Sequence, residues 1–280
     1  MPLRTRSLPR TSLLGLARRP FVKPLLARGA ARLSCCAMCL LIVLRGRFAT
    51  HPVLVASNRD ERTDRKASPP GLWVGDRARV LSPRDRERGG TWLGVNARGL
   101  FAGLTNVKDV PVPVDAETRG VLPHVALERG ELEPAIAAVR EIFDQRPFGG
   151  FQLVLADAHR IVVLRHGAEG LATIEWSQEL LVVTNEHAPG ELELPGLRAA
   201  VAAVSTPAAQ LQALRPLLLD RGGDGRHPVL KRMDGYGTVS SSLLAVPAAD
   251  PLHLQWLFTA GPPDVAEYRE YGNLARRLVD

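Results

Sequence analysis

Cysteine, lysine and aromatic residues are all scarce in this 280-residue chain. Of its three cysteines, Cys35 and Cys36 fall in an N-terminal stretch unlike the rest, which leaves Cys39 as the one thiol of the remaining chain. A single thiol cannot close a disulfide within a domain, and that favours a reducing compartment. No Cys-x-x-Cys-His string for covalent haem attachment is present, and the seven histidines are scattered without the spacing of a zinc site. Within residues 1–37 the apolar runs are two or three residues long, too short for a membrane span or the core of a secretory signal. Acidic residues are missing altogether from residues 1–37, where seven arginines and one lysine give +8 against +7 for the whole chain. The remainder is close to neutral, so the pI of about 9.9 belongs to that leader. Without a basic stripe interleaved with aromatics, the domain argues against nucleic acid as a partner.

Three readings of residues 1–37 stand side by side: upstream sequence wrongly joined to the gene, an Arg-rich mitochondrial transit segment, or a disordered basic tail. Arginine outnumbers lysine 32 to four, the bias of a GC-rich genome in which false upstream starts arise easily. All three readings begin the fold near Met38, and residues 38–280 suffice for one large domain. A cytoplasmic location follows from the first reading and a mitochondrial one from the second. If Met38 is the true start and is removed, Cys39 carries a thiol and a free α-amine on one carbon, a nucleophile with its own base attached. The blander reading of a lone cysteine is a small buried hydrophobe.

Apolar runs predict strands over Cys39–Leu44 and Pro52–Ser57, joined through Arg45–His51 as an opening hairpin. A second hairpin is predicted over Thr91–Val95 and Leu100–Asn106, with Gly99 supplying a positive φ in the turn. Phe151–Ala156 pairs with Ile161–Arg165, and Leu180–Thr184, Thr238–Val246 and Leu254–Thr259 add further strands. Helices are predicted over Thr118–Glu128, Glu133–Gln145, Leu197–Val204 and Pro207–Leu219, the last capped by Ser205 or Thr206 with Pro207 in its first turn. Residues 221–227 read as an exposed loop. Strand-rich ends around paired helices make an α+β layered domain.

Several short strings occur in a telling order: Ala56-Ser57-Asn58-Arg59-Asp60-Glu61, Gly89-Gly90-Thr91-Trp92-Leu93-Gly94, Gly103-Leu104-Thr105-Asn106, Gly150-Phe151-Gln152-Leu153, Thr184-Asn185 and Gly235-Tyr236-Gly237-Thr238. In that order, headed by Cys39, the chain resembles the NRDE family, which includes the transport and Golgi organisation protein 2 homologues. The resemblance runs from Met38 to about Thr259. It implies an αββα four-layer sandwich of the N-terminal nucleophile hydrolase type, distantly similar to choloylglycine hydrolases and penicillin V acylases. It also implies links to haem and lipid handling and to the secretory pathway, as for the family's animal members. Ser57 stands where the acylase pattern has arginine, and Val239 where related sequences carry one, so both positive charges near the thiol are missing.

These residues fit amide hydrolysis. A free α-amine, with an ordinary pKa of about 8, accepts the proton of a thiol of about 8.5 without extreme tuning. Cys39 is the nucleophile, Asp60 anchors the ammonium group, and Asn106 and Asn185 are candidate oxyanion donors. Asn58, Arg59, Trp92 and Tyr236 are assigned to substrate binding or to structure. Blander roles are a turn cap or ion pair for Asp60, strand termination for the two asparagines, an ion-pair partner for Glu61, core packing for Trp92 and loop surface for His187. The first functional reading is a cysteine amidohydrolase acting on a small-molecule, non-peptide acyl amide, without cofactor or metal. The second is a non-catalytic carrier of haem, lipid or acyl-CoA, with Cys39 or a histidine as axial ligand if haem is the cargo. The sequence names neither the substrate nor an oligomeric state.

Overall fold

A computed structural model describes residues 39–108, 110–202, 204–223, 226 and 228–279. The leader 1–37, Met38, and residues 224, 225 and 227 of the predicted loop lie outside the described residues. In chain order the first strands are β1 (Leu40–Arg45), β2 (Val53–Arg62), β3 (Ala67–Val74), β4 (Arg79–Asp85), β5 (Leu93–Asn96) and β6 (Phe101–Asn106). Two helices follow, α1 (Val121–Leu127) and α2 (Leu132–Gln145), then β7 (Phe151–Ala156), β8 (Ile161–Gly167), β9 (Gly170–Trp176) and β10 (Leu180–Thr184). The chain continues through α3 (Leu197–Val201), α4 (Pro207–Leu214), β11 (Arg232–Met233), β12 (Tyr236–Val246), β13 (Gln255–Thr259) and β14 (Arg269–Glu270).

Among the described residues these strands form two antiparallel sheets. One runs β10-β1-β2-β12-β13-β14 with β11 beside β12, and the other runs β3 to β9 in sequence order. Side chains alternate across β1, so Leu41 and Val43 enter the core between the sheets, where they meet Leu93, Phe101, Val154 and Trp256. Leu40, Ile42 and Leu44 point the other way and pack with Leu197, Leu211, Leu214 and Leu218 from the α3–α4 side. On the far side of the second sheet, Leu153, Leu155, Val162 and Leu164 meet α1 and α2. Three separate apolar cores therefore lie between four layers, the αββα order that the resemblance implies. α2 presents Leu132, Ala135, Ile136 and Val139, one face at helical spacing.

Both predicted hairpins are present, with Gly99 at φ 77° in the second turn and β5 starting at Leu93 rather than Thr91. Thr206 caps α4 by accepting from Ala209 N at 3.2 Å, with Pro207 in the first turn. α4 stops at Leu214, and a 3-10 turn carries Arg215–Leu219. α1 starts at Val121 rather than Thr118, because residues 118–120 are drawn to the head of β5, where Thr91 N donates to Gly120 O at 2.9 Å. The main correction concerns β2. The predicted strand ends at Ser57, whereas the observed one continues through the polar run to Arg62, paired with β1 and β12 on its two sides.

Candidate active site

Cys39 stands immediately before β1, one step ahead of the Leu40↔Asn58 pairing, which places it against Arg59 and Asp60 of β2. Asp60 N donates to Cys39 Sγ at 3.4 Å, and the thiol lies 3.5 Å from Asp60 O. The two residues meet because β1 and β2 form a hairpin and the polar run stays in the strand. Burial pushes the Cys39 thiol up to about 11; the Asp60 charge adds to the rise, while the Asp60 backbone contact and Arg59 oppose it. With its amine in a peptide bond, Cys39 is a neutral thiol.

Asp60 is neither a turn cap nor an ion-pair partner of Arg59 or Arg62. Its Oδ1 accepts from Thr238 Oγ1 at 2.7 Å, and that hydroxyl in turn accepts from Lys231 N at 3.0 Å. Thr238 faces Asp60 across β2 and β12, and the ladder slips one residue at Val239 immediately afterwards. Asp60 Oδ2 is buried without a hydrogen-bond partner. Burial raises this carboxyl to about 6 against the pull of Thr238 and Lys231. A buried carboxyl oxygen with no donor, on the residue whose backbone meets the thiol, leaves one acceptor of the site unanswered.

A cavity of about 100 Å³ opens onto Cys39 and is lined by Arg59, Asp60, Glu61, Arg65, Asp85, Thr91, Trp92, Asn106, Thr118, Arg119 and glycines 89 and 120, among others. Arg59 is buried, and its guanidinium stacks 4.4 Å from the Trp92 ring centre. It also lies 3.6 Å from Glu61 and 3.7 Å from Asp85, and Arg65 completes a four-charge network at 2.9 Å and 2.6 Å from the same two acids. Glu61 is thus an ion-pair partner. Although Ser57 and Val239 are not arginine, Arg59 supplies positive charge to the thiol from two residues beyond Ser57, and Arg119 is a second electrostatic neighbour of Cys39.

Asn106, at the end of β6, reaches the same cavity from the opposite sheet. Asn185 does not line it. Asn185 lies behind, buried, with Oδ1 accepting from Asn106 N at 3.2 Å, so the backbone N–H of Asn106 is already engaged. Asn58 turns away from the cavity, and its Nδ2 ties β2 to the outer layer through Leu218 O at 2.9 Å and Val229 O at 3.3 Å. Tyr236 opens β12 opposite Arg62 and is absent from the cavity lining. His187 is half-buried rather than loop surface, with Nδ1 3.0 Å from Thr184 Oγ1. Among the described residues no group of three or more His, Cys, Asp or Glu is placed to hold a metal ion. No helix among them is long and apolar enough to cross a membrane.

Sequence reasoning missed Arg65, Asp85 and Arg119. Arg119 directly precedes Gly120. Gly90 at φ 73° approaches so closely that a Cβ there would lie 2.4 Å from the Gly120 carbonyl. The glycine pair thereby presses the Arg119 segment onto the head of β5.

Among curated proteins, the chain is 25% identical over 253 residues to the transport and Golgi organization protein 2 homolog of Homo sapiens, covering 75% of this chain and 89% of the human protein. The Bos taurus homolog is 32% identical over 130 residues, 43% of this chain and 45% of its own length. Among solved structures, a Caenorhabditis elegans N-acylethanolamine-hydrolyzing acid amidase ortholog aligns at 13% identity and TM-score 0.48, covering 75% of this chain and 93% of the other. A conjugated bile acid hydrolase from Clostridium perfringens aligns at 12% and 0.49, covering 84% and 94%. The family model described as Transport and Golgi organisation 2 matches residues 38–195, the stretch that holds Cys39, the polar run of β2 and both asparagines, and the chain belongs to that family.

Proposed function

We propose that this protein is a cysteine amidohydrolase that cleaves the C–N bond of a non-peptide acyl amide once its chain begins at Cys39. The observation that carries this reading is the pairing of the thiol with a buried Asp60 whose Oδ2 has no donor. An α-ammonium on Cys39 fills that need, and its neutral form takes the thiol proton. The thiolate attacks the amide carbonyl, and the negative oxygen of the tetrahedral intermediate is met by the Asn106 amide, held in place by Asn185. The C–N bond breaks, the amine leaves with the proton stored on the Cys39 nitrogen, and a thioester remains. Water, deprotonated by the same nitrogen, then releases a carboxylic acid and restores the thiol. Arg59 and Trp92 brace the wall of the cavity.

The second reading is a carrier of lipid, acyl-CoA or haem. Haem fits poorly on Cys39, because the cavity that the thiol faces is about 100 Å³, against the ~300–1,000 Å³ usual for larger ligands.

The test uses the chain starting at Cys39 and a panel of N-acyl amides. An acyl adduct on Cys39 in intact-mass spectra, with amine release that Cys39→Ser abolishes, is the expected result. No adduct across the panel, or full turnover by Cys39→Ser, overturns the mechanism, and co-purified lipid in that case selects the carrier.

A further inference from the structure

Among the described residues, Arg119 is the cavity arginine that forms no ion pair, with Glu61 acting on it only electrostatically. Glu61 and Asp85 are taken up by Arg59 and Arg65, and Asp60 turns to Thr238. Arg119 is half-buried, donates from Nη1 to Gly150 O at 2.9 Å, and forms no ion pair among the described residues. A guanidinium offers five N–H donors in a planar fork and this side chain lines the cavity, so donors beyond the one given to Gly150 O are left for a ligand. Both ends of the segment are fixed, by the Gly150 carbonyl on the side chain and by the Gly90–Gly120 contact on the backbone. The charge is therefore preorganised beside the thiol rather than carried on a loose chain.

We propose that Arg119 is the anion-recognition residue of the Cys39 site, so that the ligand bears a carboxylate or phosphate close to the carbonyl presented to the thiol. As a statement of substrate class this rests on the amidohydrolase reading, but anion recognition at the cavity is measurable without turnover. A carboxylate or phosphate takes two parallel hydrogen bonds from the fork, and a neutral amide of the same shape takes none of that charge-assisted energy.

The full chain is alkylated at Cys39 with iodoacetate, which is anionic, and iodoacetamide, which is neutral. Both consume the same thiolate, so their rate ratio cancels any change in thiol pKa and reports anion recognition alone. Relative to a free thiol in the same buffer, the ratio favours iodoacetate by about tenfold or more at low salt and declines as salt screens it. Arg119→Gln abolishes the preference and Arg119→Lys keeps part of it. An unchanged ratio in Arg119→Gln overturns the proposal. Should that variant not fold, wild-type protection decides: butanoate or butyl phosphate slows alkylation while butyramide does not, and the stronger of the two anions names the group. Equal protection by butyramide overturns it. If the preference holds while no amide is cleaved, the hydrolase reading falls and the anion site stands.

Discussion

Replacing Asp60 with Asn separates the two chemical states of the site. With Cys39 in peptide linkage, Asp60 is a buried carboxyl raised to about 6, chiefly by desolvation. The folded pKa lies above the unfolded one, so the folded chain binds the proton more tightly. Asp60's contribution to stability is therefore full below about pH 4, declines as pH rises, and is lost on passing through about 6. Above that, the ionised group costs about 3 kcal/mol, from a shift of about two units at 1.36 kcal/mol each. Asn keeps an oxygen for Thr238 and carries no charge. In a chain extended ahead of Cys39, Asp60→Asn thus stabilises by up to about 3 kcal/mol at pH 8 and changes little at pH 4. In a chain that begins at Cys39, the sign reverses, because the substitution strips a buried α-ammonium of its counter-charge. Urea unfolding of the four proteins at pH 4, 6 and 8 measures this, and each Asn-minus-Asp difference cancels titrations elsewhere. A loss of stability on Asp60→Asn in the extended chain at pH 8, or the same sign in both chain forms, refutes the argument.

Burial, with Arg84 adding to it, holds His124 down to about 4, its ring 4.1 Å from that of Trp73. Its folded pKa is depressed, so the unfolded chain binds the proton more tightly and stability present above about pH 6.5 is lost as pH falls towards 4. His124→Phe should flatten the acid limb of the melting curve over that window, by up to about 3 kcal/mol; an unaltered limb counts against it. The two glycines ahead of Thr91 should respond unequally. Gly89→Ala, at φ 71° with open space, costs about 1–2 kcal/mol, whereas Gly90→Ala adds a collision with the Gly120 backbone and costs more. Equal melting temperatures for the pair would show that the contact does not matter.

Much of the frame was legible because β1, β7 and β10 are apolar runs bounded by turn residues, and α2 repeats at helical spacing. β3 was not, since Pro69 and Pro70 sit in a half-exposed edge strand with a register slip between Ser68 and Gly71. β4 hides for a similar reason: Val80 and Leu81 pair with β5, and Pro83 lies beyond that pairing. The polar end of β2 reads locally as a loop. It is a strand whose Asn58, Arg59 and Asp60 each meet a partner far along the chain, namely the Leu218 and Val229 carbonyls, the Trp92 ring and Thr238. At the site, Cys39, Asp60 and Asn106 converge as motif order suggested. Arg65, Asp85 and Arg119 were not legible because single charges carry no periodicity.

The Asn185 contact has a mechanical corollary. Cys39 and Asp60 ride on one sheet and Asn106 on the other, so the gap between nucleophile and amide is a distance between two plates. Near the site, the plates are pinned where Asn106 N meets Asn185 Oδ1 and where Gln152 Nε2 meets the Thr184 carbonyl. Away from those pins, their spacing is set by the girth of side chains such as Val154 and Trp256. A bulkier or slimmer residue there would open or close the jaw about its pinned end, so reactivity at Cys39 can be retuned by substitutions that touch nothing in the cavity.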